Sequence, residues 1–407
     1  MTQAPEAATS DTNNRWNPDK ISNQNFADIM TTYWNNYYPF DLIEQMITST
    51  EPSSTEPSPL RFREIAIVLS KRLTGDNIFT RHNCIDKNLG DSAFKQLVCA
   101  KTNTNAVPSR IELGAIYSGP VQKVKTTFGN DKPVPVAREL VFDFDLTDFD
   151  IIRTCCHDKQ ICSKCFKYLI FALELISTSL KEHFGFKKML PVFSGRRGAH
   201  LWVLDEEARW LPQDVRGAIA EFYRIKFAPD LGDDLMRYPI DLNDKWHALV
   251  LEKSKDFLDD IWTEQYAENW SKIVYFVPKS YYFANEVDRR QLFINSKPKS
   301  WAEACSILRA NKNSDVSEAA FKSMLNTLSV FLTYPRIDIN VTKIINHLLK
   351  APFCVHPGTG WMSVPLDLNN IASFNPLDYK AAALTSGDPE TVRKFQESIE
   401  IAKQIIQ

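Results

Sequence analysis

No apolar run in this chain approaches the ~18 residues that a membrane-spanning helix requires, so no membrane segment is expected. A charge excess is missing too: 48 Lys and Arg against 50 Asp and Glu leave a formal net charge of −2 over 407 residues. That excludes a surface coated in positive potential, and any nucleic-acid contact has to come from local clusters. Nor is there a disulfide framework. Cys84, Cys99, Cys305 and Cys354 are scattered, and the other four of eight cysteines crowd into CCHDKQICSKC, residues 155–165. That pattern points to a reducing compartment. The opening stretch MTQAPEAATSDTNNRWNPDK is polar, unlike a secretory signal, and residues 1–22 read as a disordered tail. No internal repeat is visible.

What is present is ordinary globular composition, 44% hydrophobic and 24% charged, in a chain long enough for more than one packing unit. Residues 26–48 read as helical and rich in aromatics; the Ser/Pro/Glu stretch at 49–60 reads as a flexible linker. REIAIVL, NIFTRH and RIELGAIY, between 63 and 117, are strand-like, as is 138–146. The spacing of Leu169, Leu173, Ile176 and Leu180 predicts a helix over 163–184, with Gly185 as its C-cap. PVFSGRRGAHLWVLD predicts two strands around a glycine-flanked loop, and RIDINV, 336–341, another strand. Residues 206–330 read as an inserted helical subdomain. A final helix over 389–407 is expected, with Asp388 as N-cap and Pro389 in its first turn. The fold class is therefore α/β (α+β): a mixed β-sheet domain over 23–205 and 331–388, interrupted by helices.

RELVFDFDLTDFD carries four aspartates inside an apolar run. In a strand, Leu140, Phe142, Phe144 and Leu146 share one face, and Asp143 and Asp145 lie side by side on the other. Neighbouring carboxylates repel, and a divalent cation such as Mg²⁺ or Mn²⁺ relieves that repulsion. The bland alternative is a solvated sheet face. Asp148 and Asp150 fit a capping box opened by Thr147. Cys155, Cys156, Cys162 and Cys165 follow CC-x5-C-x2-C, whose C-x2-C is a zinc half-site; His157 is a possible substitute ligand. Four protein ligands leave no open position, which makes such a zinc structural; a redox pair or buried free thiols are the alternatives. SGRRGAH sets Ser194, Arg196, Arg197 and His200 around two glycines, suited to phosphate oxygens or simply to a hairpin turn. Asp338, Lys350 and His356 follow in PRIDINV and NHLLKAPFCVHPGTG, adding a third carboxylate and two cationic or polar groups.

Taken together and in order, ELVFDFDLTDFD, the cysteine cluster, SGRRGAH and PRIDINV…NHLLKAPFCVHPGTG resemble the archaeo-eukaryotic primase family. The likeness is to its eukaryotic small catalytic subunits, with REIAIVL and RIELGAIY upstream, over residues 26–205 and 331–370. The resemblance implies Asp143, Asp145 and Asp338 as ligands of two catalytic Mg²⁺ or Mn²⁺ ions. It implies Ser194, Arg196, Arg197, His200, Lys350 and His356 as the triphosphate site, and the four cysteines as a structural Zn²⁺ site. Arg110 and Glu112 fall near the ribose, where family members commonly have Lys and Asp. Glu64 and Arg81 match positions linked to the initiating nucleotide. The implied activity is template-directed, de novo synthesis of short RNA primers from NTPs on single-stranded DNA. The implied partners are a large iron–sulfur primase subunit and DNA polymerase α with its accessory subunit, in the nucleus. Competing readings are a repair-type polymerase that needs a primer, and a non-catalytic zinc-containing nucleic-acid-binding subunit; three clustered acids facing phosphate argue against the latter.

Overall fold

The structure, a computed structural model, describes residues 15–17, 21–51, 53–55, 58–224, 235, 240–281 and 295–407. Most of the expected N-terminal tail therefore lies outside the described residues, as do 52, 56 and 57 of the linker and 225–234, 236–239 and 282–294 of the central helical region. Arg15 pairs with Cys162 in an isolated bridge, and the Trp16 N–H donates to the Ile161 carbonyl at 3.0 Å.

Among the described residues, eight strands form two sheets: β1 (Arg63–Lys71), β2 (Asn77–Asn83), β3 (Ala106–Tyr117), β4 (Pro135–Ala137), β5 (Leu140–Asp145), β6 (Met189–Phe193), β7 (Gly198–Val203) and β8 (Leu349–Lys350). The larger runs β2-β1-β3-β4 with β8 also paired to β3; the smaller runs β5-β7-β6. Every pairing is antiparallel.

The helices are α1 (Asn23–Asn36), α2 (Phe40–Ile47), α3 (Ala93–Cys99), α4 (Ser163–Phe184), α5 (Glu206–Arg209), α6 (Gln213–Phe222), α7 (Lys245–Gln265), α8 (Ser271–Tyr275), α9 (Trp301–Ala310), α10 (Glu318–Thr333), α11 (Ile339–Lys343), α12 (Ala381–Thr385) and α13 (Pro389–Ile406). The helix predicted over 26–48 is two helices. Pro39, which has no N–H to donate to a preceding turn, sits at the break. α1 is fastened to the sheet by its aromatics: the Tyr33 hydroxyl donates to Phe353 O and Trp34 Nε1 to Pro108 O, each at 2.6 Å. α4 ends at Gly185 in the left-handed region, φ 78°, as its sequence predicts, and Asp388 caps α13.

Two local expectations are corrected. The strand predicted at 336–341 does not form; the chain is irregular up to Asp338, whose side chain caps α11 by accepting the Asn340 N–H at 2.8 Å. Arg336 does not share a face with Asp338. It is buried, its guanidinium over the rings of Phe149 and Phe331, donating to Tyr334 O and Phe331 O. The second correction concerns TDFD. The turn Leu146–Phe149 is 3-10, and its cap is Asp145 rather than Thr147: one Asp145 oxygen accepts both the Thr147 N–H and hydroxyl at 2.9 Å. Asp150 is structural, paired with Arg153 and accepting the Asp158 N–H.

A buried charged hub anchors the start of β5. Glu139, fully buried, is held by Arg63 and by Arg209 at 2.6 Å. Arg216 donates to the carbonyls of Leu211, Ala208, Arg209, Glu139 and Arg138; Arg138 reaches those of Val341 and Ile344. One network thus ties β1, β5, α5, α6 and α11 together, and it fixes the strand that carries the aspartates.

Candidate active site

The alternation in β5 does what its period demands. Phe142 and Phe144 are fully buried, while Asp143 and Asp145 are half-buried on the opposite face. Across the ladder, Asp143 faces His200 and Asp145 faces Gly198. His200 Nε2 lies 3.5 Å from Asp143 Oδ1. Asp338 joins the pair through its backbone, its N–H donating to the Asp143 carbonyl at 3.0 Å.

The loop between β6 and β7 depends on its two glycines. A Cβ on Gly198 would sit 2.4 Å from the Phe144 carbonyl, and Gly195 holds φ +84° with Trp361 O 3.0 Å from where a Cβ would be. The loop folds tightly on itself: Ser194 Oγ accepts the Gly198 N–H at 3.1 Å, and Thr359 Oγ1 donates to Gly195 O at 2.7 Å. Arg197 Nε reaches back to both Asp145 oxygens, at 2.8 and 3.0 Å. Lys350, on β8, donates to the Ser194 carbonyl.

These groups converge on one cavity of about 360 Å³, whose walls include Arg110, Asp143, Asp145, Ser194, Arg196, Arg197, His200, Lys350 and His356. Nine residues singled out from sequence therefore share one space. Glu112 stands next to it, accepting from Arg110 Nε at 2.8 Å and paired in register with Lys350. Glu64 and Arg81 form a separate group farther across the larger sheet. Glu64 is fully buried and accepts from Arg81 Nε at 3.0 Å and from the Tyr117 hydroxyl at 3.2 Å.

Acidic and basic groups share the lining of the cavity. Burial, then the charges of Asp145 and Asp338, push the Asp143 carboxyl up to about 7. Burial also pushes Asp145 up, but hydrogen bonds from Arg197 and Thr147 outweigh it and hold that carboxyl below its ordinary value. Burial lowers Lys350 to about 8, opposed in part by Cys354 and Asp143. Burial, then Lys350, lowers His200 and His356 to about 3, so both imidazoles are neutral at neutral pH. His356 Nδ1 accepts the Gly358 N–H at 3.1 Å, so its Nε2 carries the proton and is a donor. The acidic groups suit cations and the basic groups suit an anion.

Sequence reasoning missed Thr359, which pins the loop, and Arg138, whose buried charge helps keep His200 neutral. Thr359 lies inside HPGTG, where two glycines flank a hydroxyl, and that was the available signal. The TDFD pattern reads Asp148 as a capping residue; its carboxyl is raised by burial, then by Asp145, and it adds a fourth acid to the same region.

The four cysteine sulfurs all lie within 4.8 Å of one another, and His157 is exposed and outside the group. Cys155 and Cys162 Sγ are 3.5 Å apart, Cys162 and Cys165 Sγ 3.8 Å. A tetrahedral Zn²⁺ with Zn–S bonds of about 2.3 Å needs sulfurs about 3.8 Å apart, so these residues fit that ion. The cluster is clamped from α7, where Gln265 Nε2 donates to Cys155 Sγ at 3.2 Å, and from α8, where Lys272 Nζ donates to the carbonyls of Asp150 and Arg153. Because four thiolates would fill the shell, chelation is expected to lower the thermal midpoint while protein that remains folded keeps its nucleotide affinity. Calorimetry alongside nucleotide binding checks this, and selective loss of binding at an unchanged midpoint would contradict it.

Comparison with known proteins places this geometry among relatives. The family described as DNA primase small subunit matches residues 142–368. A Drosophila melanogaster DNA primase small subunit is 29% identical over 394 residues, covering 92% of this chain and 83% of its own length. A Caenorhabditis elegans protein of the same name is 33% identical over 331 residues, 77% of this chain and 76% of that one. A Schizosaccharomyces pombe counterpart is 33% identical over 297 residues, 68% and 62%.

Proposed function

This chain belongs to the DNA primase small subunit family, and from that premise we propose that it is a primase catalytic subunit that starts short RNA primers de novo from NTPs on single-stranded DNA. The observation that carries the proposal is that Asp143 and Asp145 line one cavity together with Arg196, Arg197, Lys350 and His356, Arg197 being paired with Asp145. Three aspartates alone would repel a triphosphate; the basic groups of the same cavity offset that repulsion.

Asp143, Asp145 and Asp338 are the residues that would hold two Mg²⁺ or Mn²⁺ ions, for which carboxylate oxygens are suitable ligands. When bound, such ions activate a 3′-hydroxyl as nucleophile and neutralise charge on the departing pyrophosphate. Arg196 and Arg197 present guanidinium forks to phosphate oxygens, Lys350 supplies a point charge, and Ser194 and His356 Nε2–H donate hydrogen bonds. Neutral His200 keeps the floor of the cavity polar without adding positive charge beside Asp143. Arg110, braced by Glu112, stands at the cavity's edge, where a ribose is expected. Positioning and electrostatics carry most of the catalysis in such a transfer. The large iron–sulfur subunit, DNA polymerase α with its accessory subunit, and a nuclear location are proposed on family membership.

Arg197→Ala tests the triphosphate assignment. Loss of a charge-assisted phosphate contact is expected to raise the nucleotide KM roughly 10- to 100-fold, with a smaller change in kcat. Steady-state kinetics on a homopolymer template measures both. An unchanged KM with normal turnover would sink the triphosphate assignment.

A further inference from the structure

The larger sheet carries a surface that the cavity does not use. Cross-strand register sets Phe79 opposite Val68, and Val68 opposite Arg110, so one row runs from the edge strand β2 to the cavity wall. Phe79 is 57% exposed, and the Arg110 guanidinium lies 5.6 Å from its ring centroid. Arg81, two residues on, is held by Glu64 and remains open to solvent.

Beyond β2 rises the loop between β3 and β4. Its base is closed by reciprocal bonds between Ser118 and Val134. Its first turn, Val121–Lys125, packs against β2. Lys123, Lys125 and Lys132 are exposed there against a single acid, Asp131, in a chain whose net charge is −2. Phe128 projects from the same loop at 82% exposure. The loop lies close to the sheet: burial lowers the His82 imidazole, and Arg81, Lys125 and Lys132 lower it further, against Glu64.

Solvated lysines alone would be unremarkable on a loop. Two exposed phenylalanines among five cations, one of them against Arg110 of the cavity wall, are not explained that way. The pattern is that of a groove for single-stranded nucleic acid: cations follow the phosphates, and exposed rings stack on unpaired bases. A duplex offers no free base faces along its length, which favours the unpaired strand. We propose that Phe79, Lys123, Lys125, Phe128 and Lys132 form the track that receives the single-stranded template beside the active-site cavity. The proposal rests on the template-directed function given above and assigns it a surface.

The test is equilibrium binding of a fluorescent oligodeoxythymidine to the full chain, without NTPs, across a salt series. Replacing Lys125 and Lys132 together by Gln is expected to weaken binding roughly 10-fold and to lower the log–log salt slope by about 1.4, two phosphate contacts on a single strand. Phe128→Ala is expected to weaken binding roughly 5- to 100-fold with the salt slope unchanged, as lost stacking predicts. Melting curves and the binding of ATP alone serve as controls, and both should match wild type. Unchanged affinity and slope in these variants would overturn the track and leave the patch to a protein partner. No measurable wild-type binding would overturn it equally. The two proposals fail separately: binding through these residues without RNA synthesis would sink the catalytic function and keep the track, and RNA synthesis with unaltered binding would do the reverse.

Discussion

Asp145→Ala is expected to abolish primer-independent RNA synthesis, by about 10³-fold or more, while the protein stays folded. Asp145 contributes little to the core: its side chain is half-exposed, and its partners are Arg197 and the Thr147 turn. Its removal also takes a negative charge from beside Asp143, which burial and its two acidic neighbours push up to about 7. A less strained Asp143 offsets the lost cap, so the thermal midpoint should be unchanged or slightly raised. Asp143→Ala should behave the same way. Retained synthesis would remove the carboxylates from the chemistry, and an unfolded variant would make them structural. Quenched-flow synthesis and a melting curve on the same preparation separate these outcomes.

Glu139→Ala is expected to destabilise the fold by about 3–5 kcal/mol, far more than any aspartate substitution. Glu139 is the fully buried carboxylate among Arg63, Arg138, Arg209 and Arg216, all buried; the half-buried Glu206 pairs with Arg209 at 3.2 Å. Removing it leaves Arg63, Arg138 and Arg216 in the core without a counter-charge, Arg209 keeping Glu206. The same group makes stability depend on acid. Burial raises its carboxyl, but Arg63 and Arg209 outweigh that and bring it from 4.5 to about 2. A depressed carboxyl stabilises fully above the unfolded value, so its contribution is complete above pH 4.5 and is lost as the pH falls to about 2. Urea titrations of wild type and variant at neutral and acid pH check this. Equal stability at neutral pH, or a gap that widens towards pH 2, would contradict it.

Both predictions concern β5, yet only one was legible in the sequence. The aspartate face follows from strand period alone, and the cysteine cluster from spacing, because both are local patterns. The helix over 163–184 and its glycine stop were legible for the same reason. Asp338 was legible as an acid near the site but not in its conformation. Its alternation with Ile337 and Ile339 imitates a strand, whereas the free N–H of Asn340 takes its carboxylate as a cap and Arg336 turns into an aromatic slot. The Glu139 hub was invisible. Arg63, Glu139, Arg209 and Arg216 are ordinary surface types by composition, and only the closing of β1 on β5 and α6 buries them together. The break at Pro39 is hard to read from the sequence because strong aromatic content on both sides masks the proline between them.

The central claim is that this chain joins nucleotides without a pre-existing end. Labelled ATP on a poly(dT) template, with no primer, in Mg²⁺ and in Mn²⁺, tests it most directly, with Asp145→Ala run beside wild type. Short products from wild type and none from the variant are the predicted result. Products from wild type only when a primer is added, or equal products from both proteins, would contradict it.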